Sequence, residues 1–361
     1  MTDEEYMARA LALAERGVGK VDPNPLVGAV LVKDGRIIGE GAHERFGAPH
    51  AERNALAACK EDPRGAALYV TLEPCCHWGK TPPCTEAILQ SGVARVVIGS
   101  DDPNPLVAGG GVKRLREGGV EVTRGVLQSA CDAENEVFFH FIRTGRPFCL
   151  LKYAMTMDGK SACVSGKSQW ITGETARRRV HADRNRYAAV LVGVGTVIAD
   201  DPLLTCRIPD GRNPLRVVCD TRLRTPLTSQ IVQTAADVPS LLATCETDEK
   251  RALPYRAAGC EVLTLPEKNG HVDLRALMAA LGQRGVSSVV LEGGGTLAWS
   301  ALEAGIVQRV QTYVAPKLFG GAGAKTPVLG AGVDAPDLAF RLSPPRVTAL
   351  GDDLLLESEV L

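Results

Sequence analysis

The sequence lacks the features that mark several large classes of protein. Its 41 Lys and Arg balance 42 Asp and Glu, for a formal net charge of −1, and it has no basic stripe of the kind that binds nucleic acid. No hydrophobic run is long enough to span a membrane, and the acidic start, Met1–Glu5, lacks the apolar core of a signal peptide. We therefore expect a cytoplasmic protein with no nucleic-acid or membrane partner.

The 11 cysteines also lack the pattern of a disulfide framework, because their number is odd and they are scattered along the chain. Such usage fits a reducing cytosol better than secretion. A length of 361 residues favours two domains, each with its own core. The substrate of such a protein is expected to be a small intracellular metabolite.

Potential metal ligands lie in three short stretches, His50–Glu52, Glu73–Cys76 and Pro82–Cys84. One His and two Cys can hold three corners of a zinc site and leave the fourth for water. Glu52 is not needed as a ligand, so its carboxylate is available for proton transfer. His-x-Glu followed by Pro-Cys and a later Cys is the signature of zinc nucleobase deaminases, but that signature has Cys-x-x-Cys. Here residues 76–83 separate the two cysteines.

Two other interpretations of these residues stay open. A structural zinc site fills all four positions, and Cys76 or His77 could be the fourth ligand. The residues could also be ordinary buried side chains. Catalysis is favoured because His50–Glu52 lies between a loop, 46–49, and an alanine-rich helical run, 53–59. A helix start there would direct a ligand and an acid into one pocket.

Hydrophobic periodicity and turn residues predict alternating helices and strands in the first half. Thr2 and Glu5 form a capping box for a helix that ends before Gly17, and Asp34-Gly35 is typical of a hairpin turn. Further strands are predicted at 27–33, 36–41, 67–71, 95–99 and 120–122, and helices at 53–59, 85–90 and 129–142. This order indicates an α/β sandwich.

The hexapeptide Asp-Pro-Asn-Pro-Leu-Val occurs twice, at 22–27 and 102–107. Two stiff turns of this kind could form two walls of one pocket, in which Asn24 and Asn104 offer amides to a polar heterocycle. Two proline-rich loops with local Asx turns are the alternative.

The motifs of the first half together resemble the bifunctional riboflavin-biosynthesis deaminase/reductase family: Asn-Pro-Leu-Val-Gly-Ala-Val, His43 with the segment 47–52, and the segment 73–84. The long insertion between the cysteines is that family's own variant. The resemblance implies a cytidine-deaminase-like domain in which His50, Cys75 and Cys84 hold one zinc per chain, Glu52 shuttles protons, and Asn24, Lys80 and Asn104 contact substrate. The family usually has Arg at position 80, and Lys keeps the charge but loses the bidentate fork.

A turn-forming segment, Thr144–Pro147, separates the halves, so we predict domains at 1–145 and 146–361. In the second half Gly193-Val194-Gly195 is a weak dinucleotide motif, because Asp200–Pro202 follows too soon for a long helix. A better cofactor loop is Val289–Gly295, a buried strand and three glycines, before a helical run at 296–304. A tight structural turn is the alternative.

The second half is similar to the same family's reductase domain, which has the dihydrofolate-reductase-like α/β fold. By resemblance the NADPH contacts are Ala154, Trp170, Thr196, Asp200, Gly294, Gly295, Thr296, Leu297, Ala298, Trp299 and Ser300. Thr221-Arg222 could face the cofactor's 2′-phosphate. The implied substrate contacts are Ser168, Arg184, Leu204, Arg207 and Glu292, of which the two arginines suit phosphate clamps.

The resemblance implies a zinc-dependent hydrolytic deaminase joined to an NADPH-dependent reductase, both acting on a pyrimidine ribosyl phosphate. No acid/base pair for the reduction is evident from the sequence. The alternatives are a metabolite-binding or regulatory protein with an inactive deaminase site, and a tRNA or cytidine deaminase with an unrelated appendage. The sequence leaves homo-oligomerisation open.

Overall fold

The computed structural model of the protein describes residues 1–78 and 82–361. The predicted substrate contact Lys80 lies outside these described residues. Contacts between Cα atoms divide the chain into two compact units, Met1–Gly145 and Arg146–Leu361. Among the described residues, no helix combines the length and apolar character needed to cross a membrane.

The first unit is built on one five-stranded sheet in the order β2-β1-β3-β4-β5. Strands β1, β2 and β3 are antiparallel neighbours, whereas β3, β4 and β5 run parallel. The strands are β1 (Gly28–Lys33), β2 (Arg36–Ala42), β3 (Ala67–Leu72), β4 (Arg95–Ser100) and β5 (Glu121–Arg124). The helices are α1 (Asp3–Ala14), α2 (Ala51–Ala57), α3 (Cys84–Ser91), α4 (Gly110–Glu117), α5 (Gln128–Glu134) and α6 (Glu136–Thr144).

Alternating strand residues bury apolar side chains on both faces of this sheet. Leu31 and neighbouring residues pack with Ala55 of α2 and Ile88 of α3 in one core cluster. On the other face Val30 packs with Met7 and Leu13 of α1. The unit is therefore an α/β/α sandwich, as the sequence predicted.

Two glycines of β2 let α2 lie directly against the sheet. A Cβ on Gly41 would come within 2.4 Å of the backbone oxygen of Ala51, and one on Gly39 within 2.5 Å of that of Ala55. Because these contacts are with helix backbone, a larger residue would displace α2. The glycines thus set the position of α2, whose N-terminal end carries His50 and Glu52.

Several local predictions are confirmed, and two elements differ. The capping box is present, with the Thr2 hydroxyl accepting from the Glu5 backbone N–H. The predicted helix 129–142 is instead two helices that meet at Asn135, because the Asn135 amide bonds both backbone groups of Leu26. Helix α4 was not predicted, since its glycine-rich start carries no ordinary capping residue.

The second unit contains a nine-stranded sheet in the order β10-β9-β8-β7-β13-β6-β14-β16-β15. The first seven strands in this order run parallel, and β16 and β15 complete one edge in antiparallel register. The strands are β6 (Phe148–Thr156), β7 (Ala189–Gly193), β8 (Leu215–Cys219), β9 (Ser240–Thr244), β10 (Glu261–Thr264), β13 (Ser288–Glu292), β14 (Arg309–Ala315), β15 (Arg346–Leu350) and β16 (Asp353–Glu359), with β11 (Glu267–Lys268) and β12 (His271–Val272) as a separate pair.

Helices cover both faces of this sheet. They are α7 (Glu174–Arg186), α8 (Val194–Asp200), α9 (Gln230–Gln233), α10 (Glu249–Ala257), α11 (Leu274–Gln283) and α12 (Gly295–Glu303). Leu191 and Leu291 pack with residues of α11 and α12 in one cluster, and Val190 packs with α9 and α10 in another. Parallel strands leave their carboxyl ends along one edge, which is where ligands bind in open α/β sheets.

Candidate active sites

Three potential metal ligands that are distant in sequence meet in the first unit. His50 precedes α2, Cys75 follows β3, and Cys84 is the first residue of α3. Their ligand atoms all lie within 4.8 Å of one another, and among the described residues this is the group of three or more His, Cys, Asp or Glu that could hold a metal ion. The Nδ1 atom of His50 lies 3.6 Å from Sγ of Cys75 and 3.4 Å from Sγ of Cys84.

These separations fit a tetrahedral zinc ion. With Zn–S bonds of about 2.3 Å and Zn–N bonds of about 2.1 Å, tetrahedral angles place N and S about 3.6 Å apart. One imidazole and two thiols are also a donor set that zinc prefers. A site with three protein ligands keeps one position open, which is the arrangement of catalytic zinc.

The two thiols of this group differ in protonation. A hydrogen bond from Cys84 and another from His50 lower the pKa of Cys75 to about 4 despite its burial. The hydrogen bond to Cys75, together with burial, raises the pKa of Cys84. These hydrogen bonds favour the thiolate form of Cys75, which is the form that binds metal. The backbone N–H of Cys84 also donates to Cys75 Sγ over 3.3 Å.

Glu52 is buried beside this donor group. Its side chain is 3% exposed, and burial raises its pKa above the ordinary value. Its carboxyl also interacts with Cys84. Burial thus favours the protonated form of this carboxyl more than water would, which suits a group that must both take and return a proton.

Neighbouring polar contacts hold the segments that carry these residues. Glu73 accepts hydrogen bonds from the backbone N–H groups of Gly109 and Val112, so it caps α4 and fixes the end of β3. The Arg53 guanidinium donates to the carbonyl of Pro82, just before Cys84. Sequence patterns alone predict no specific role for Glu73 or Arg53.

His43 connects one proline-rich loop to the metal-binding group. Its Nδ1 lies 3.2 Å from the carbonyl oxygen of Pro49, which can only accept, so Nδ1 carries the ring proton. Nε2 therefore accepts from the Asn24 amide at 3.1 Å. Burial lowers the pKa of His43, which keeps this neutral form. The contact orients the predicted substrate residue Asn24.

The second proline-rich loop uses Asn104 locally. The Asn104 backbone N–H donates to Asp102, and its side-chain oxygen accepts from the Leu106 N–H at 3.1 Å, which is an Asx turn. Cys76 lies against this loop, with Sγ 3.8 Å from the carbonyl oxygen of Leu106. No described hydrogen bond joins Asn104 to Asn24, so the shared pocket wall stays a prediction.

A cavity of about 1120 Å³ opens in the second unit and collects most of the predicted reductase residues. The predicted cofactor contacts in its wall are Ala154, Trp170, Thr196, Asp200, Thr221, Gly294, Gly295, Thr296, Leu297 and Ser300. The predicted substrate contacts in its wall are Ser168, Arg184, Leu204, Arg207 and Glu292. Its size suits a dinucleotide together with a second ligand.

Two predicted cofactor contacts lie elsewhere on α12. Ala298 is 2% exposed within the core of the second unit, and Trp299 packs edge-on against Phe340. Successive residues of a helix point in different directions, so a run of seven consecutive positions cannot all face one cavity. These two stay predictions based on resemblance.

The three-glycine loop has the geometry of a phosphate cradle. Gly293 and Gly294 have φ values of +89° and +86°, in the left-handed region that favours glycine. Gly294 is the N-cap of α12, so backbone N–H groups and the positive end of a nine-residue helix meet at this loop. The loop and the cavity beside it therefore fit the diphosphate of a nicotinamide cofactor.

A cluster of buried charges lies in the same cavity. Arg184 binds Glu292 through both carboxylate oxygens, at 2.7 and 2.9 Å. Lys152 Nζ lies 3.9 Å from Glu292. Although burial opposes it, the Arg184 and Lys152 cations lower the pKa of Glu292 to about 2. Burial lowers the pKa of Lys152 from its ordinary value. The sequence indicated no acid or base for the reduction, and the buried Lys152 supplies a candidate.

The predicted 2′-phosphate contact is placed at the carboxyl end of β8. Thr221 and Arg222 line the cavity. Arg222 forms an ion pair with Glu267 at 3.2 Å, and both side chains are exposed. An exposed pair of this kind is weak, so the guanidinium can exchange Glu267 for a phosphate.

Alanine replacements of three cysteines test the metal site. Cys75→Ala or Cys84→Ala should lose most of the zinc, because each removes one of three donors. Cys76→Ala should retain about one zinc per chain, because its sulfur lies against Leu106. Elemental analysis after gel filtration measures the metal content. A zinc-free Cys76→Ala protein would mean that Cys76 is a fourth ligand and that the site is structural.

Both units match known families. Residues 1–100 match the cytidine and deoxycytidylate deaminase zinc-binding region, and residues 147–356 match the RibD C-terminal domain. The predicted fold classes of the two halves, cytidine-deaminase-like and dihydrofolate-reductase-like, are thereby confirmed.

Full-length relatives agree with these matches. The riboflavin biosynthesis protein RibD of Actinobacillus pleuropneumoniae is 52% identical, covering 100% of this chain and 96% of its own. The Escherichia coli protein of the same name is 42% identical and covers 99% of each chain. The crystal structure of a diaminohydroxyphosphoribosylaminopyrimidine deaminase/5-amino-6-(5-phosphoribosylamino)uracil reductase from Thermotoga maritima has a TM-score of 0.87 at 39% identity over 99% of each chain. Acinetobacter baumannii RibD gives 0.88 at 36%, also over 99% of each chain. From its motifs, its two folds and these full-length matches, we conclude that the chain belongs to the RibD family of bifunctional riboflavin-biosynthesis deaminase/reductases.

Proposed function

We propose that this enzyme deaminates 2,5-diamino-6-ribosylamino-4(3H)-pyrimidinone 5′-phosphate and then reduces the ribosyl side chain with NADPH. The product is 5-amino-6-ribitylamino-uracil 5′-phosphate. The observation that carries the proposal is the burial of Glu52 beside the donor group of His50, Cys75 and Cys84. An inactive regulatory protein is not favoured, because the ligands and the acid are all present.

In the deaminase site, His50, Cys75 and Cys84 would hold the zinc ion. Zinc supplies Lewis acidity that makes water nucleophilic near neutral pH. Glu52 accepts the proton of the attacking water and later delivers it to the departing amino group, which leaves as ammonia. Its burial excludes bulk water from this transfer. Asn24, oriented by His43, would contact the pyrimidine.

In the reductase site, the Gly293–Gly295 loop and the N-terminus of α12 would bind the diphosphate of NADPH. Bound NADPH would supply the hydride for the ribosyl carbon attached to nitrogen. The bond from that carbon to the ring oxygen breaks, and the oxygen then needs a proton. Lys152 is a partly buried donor in the wall of the cavity, and burial lowers its pKa, so we assign this proton transfer to it. Glu292 holds Lys152 and Arg184 in place.

We assign the deaminase to residues 1–145 and the reductase to residues 146–361. The two family matches support this division, since each falls within one part. Cytoplasmic location, a small-molecule substrate, and the absence of nucleic-acid and membrane partners are part of the same proposal. The balanced charge of the chain supports the absence of a nucleic-acid partner.

Glu52→Gln separates proton transfer from metal binding. Ammonia release should fall about 10²–10⁴-fold, the usual contribution of a general acid/base, because Gln cannot carry the proton. Zinc should stay at about one per chain, since the ligands are intact. An ammonia assay and elemental analysis on the same sample measure both.

The same variant carries its own control. Oxidation of NADPH with substrate that has already been deaminated should continue at the wild-type rate, because Glu52 lies in the other unit. Loss of zinc from Glu52→Gln would identify Glu52 as a ligand and refute its role in proton transfer.

Lys152→Met tests the reductase chemistry. NADPH oxidation with deaminated substrate should fall at least about 10²-fold, because Met fills the space but cannot donate a proton. NADPH binding, measured by calorimetry, and ammonia release should both persist. An unchanged kcat for NADPH oxidation in this variant would exclude Lys152 as the donor.

A further inference from the structure

We propose that His181 is a positioning residue that orients Arg207 to bind the 5′-phosphate of the reductase substrate. The inference rests on the reductase part of the proposed function. Nε of Arg207 donates a hydrogen bond to Nε2 of His181 over 3.2 Å. Both side chains line the cavity of the second unit.

The direction of this hydrogen bond fixes the form of the imidazole. An arginine Nε can only donate, so His181 Nε2 is the acceptor and the ring proton is on Nδ1. Burial and the Arg184 and Arg207 cations lower the pKa of His181 to about 4. The ring is therefore neutral at physiological pH and keeps its acceptor facing Arg207.

The contact restrains a side chain that would otherwise be free to rotate. Arg207 is exposed and lies in a segment without helix or strand, between the end of α8 at Asp200 and the start of β8 at Leu215. With Nε bound to His181, the two terminal nitrogens remain as a pair of parallel donors. That pair matches two oxygens of a phosphate.

Arg184 is less suited to this task. Its Nε and one terminal nitrogen bind Glu292, and its other terminal nitrogen donates to the carbonyl of Thr205 at 3.0 Å. Arg207 has no carboxylate oxygen within 4.0 Å among the described residues. Arg207 is therefore the arginine of the two whose charge is available to a phosphate.

The loop itself is held to α7 without the His181 ring. The Cys206 thiol donates to the backbone carbonyl of His181 at 3.4 Å, and Arg184 holds Thr205. Replacing the ring therefore leaves the loop attached. The effect expected of such a change is loss of orientation of the Arg207 side chain.

The test is a double-mutant cycle in the full-length protein. His181→Leu, Arg207→Ala and the double variant are assayed at saturating NADPH, with deaminated substrate in its phosphorylated and dephosphorylated forms. His181→Leu should raise the KM of the phosphorylated substrate about tenfold, as expected for a hydrogen bond to a charged group. It should leave kcat within about twofold and the dephosphorylated substrate unaffected. In the Arg207→Ala background, His181→Leu should cause little further increase in the KM of the phosphorylated substrate.

Two further variants distinguish orientation from a general structural effect. His181→Gln keeps a neutral acceptor and should recover most of the wild-type KM. His271→Leu removes a histidine that lines the same cavity and should not change the ratio of the two KM values. Equal losses with both substrates, or independent effects in the double variant, would overturn the inference.

A binding measurement separates this inference from the proposed reduction, because it needs no turnover. Calorimetry measures the affinities of the wild-type protein and of Arg207→Ala for ribose 5-phosphate and for ribose. The gain in affinity that the phosphate gives, and that Arg207→Ala removes, is the contribution of Arg207 to phosphate binding. His181→Leu should reduce this contribution of Arg207 to the affinity about tenfold. Absence of Arg207-dependent binding, or no weakening in His181→Leu, refutes the role of His181. Failure of the wild-type protein to oxidise NADPH with the pyrimidine refutes the proposed reduction instead.

Discussion

The deaminase site depends on bringing three donors from separate parts of the chain within 4.8 Å of one another. Two of them stand at helix starts, His50 before α2 and Cys84 in α3, and Cys75 lies at the end of a central strand. Each segment is fixed by a local contact. Glycines of β2 seat α2, and hydrogen bonds to Glu73 tie the end of β3 to α4. A hydrogen bond from Arg53 to the carbonyl of Pro82 holds the segment before Cys84. The chemistry therefore rests on the close packing of helices against one sheet.

In the second unit, several charged side chains lie together in the wall of one cavity. Lys152, Arg184 and Glu292 are all largely buried, and the attraction of both cations to Glu292 offsets part of the cost of removing the charges from water. Loss of Glu292 would leave both cations without a counter-charge. Arg207, by contrast, meets a neutral histidine and keeps its charge for a ligand. Of the two arginines in the cavity, Arg184 is thus paired with Glu292, and Arg207 can bind a substrate anion.

Much of the fold could be predicted from the sequence because local signals and tertiary packing agree. The capping box at Thr2 and the strand before the three glycines are examples. The break at Asn135 could not be predicted, because its cause is a hydrogen-bonded partner, Leu26, far away in the chain. Helix α4 was missed for a similar reason, since its cap is the remote Glu73.

The candidate sites show the same limit. The residue types and the order of His50, Cys75 and Cys84 indicated zinc, although the separation of the two cysteines departs from the usual signature. The sequence could not show that Arg184 forms an ion pair with Glu292, or that Lys152 lies beside the same carboxylate. Those properties arise from neighbouring strands and helices that are far apart in sequence.

The proposed function requires this one chain to perform both a hydrolytic and a reductive step on the same molecule. It is tested most directly by giving the purified zinc-loaded protein a limiting amount of the diaminopyrimidinone ribosyl phosphate with excess NADPH. Ammonia and NADPH are then measured in the same reaction. We expect one ammonia to be released and one NADPH to be oxidised per substrate molecule. Release of ammonia without NADPH oxidation, or the reverse, would contradict it.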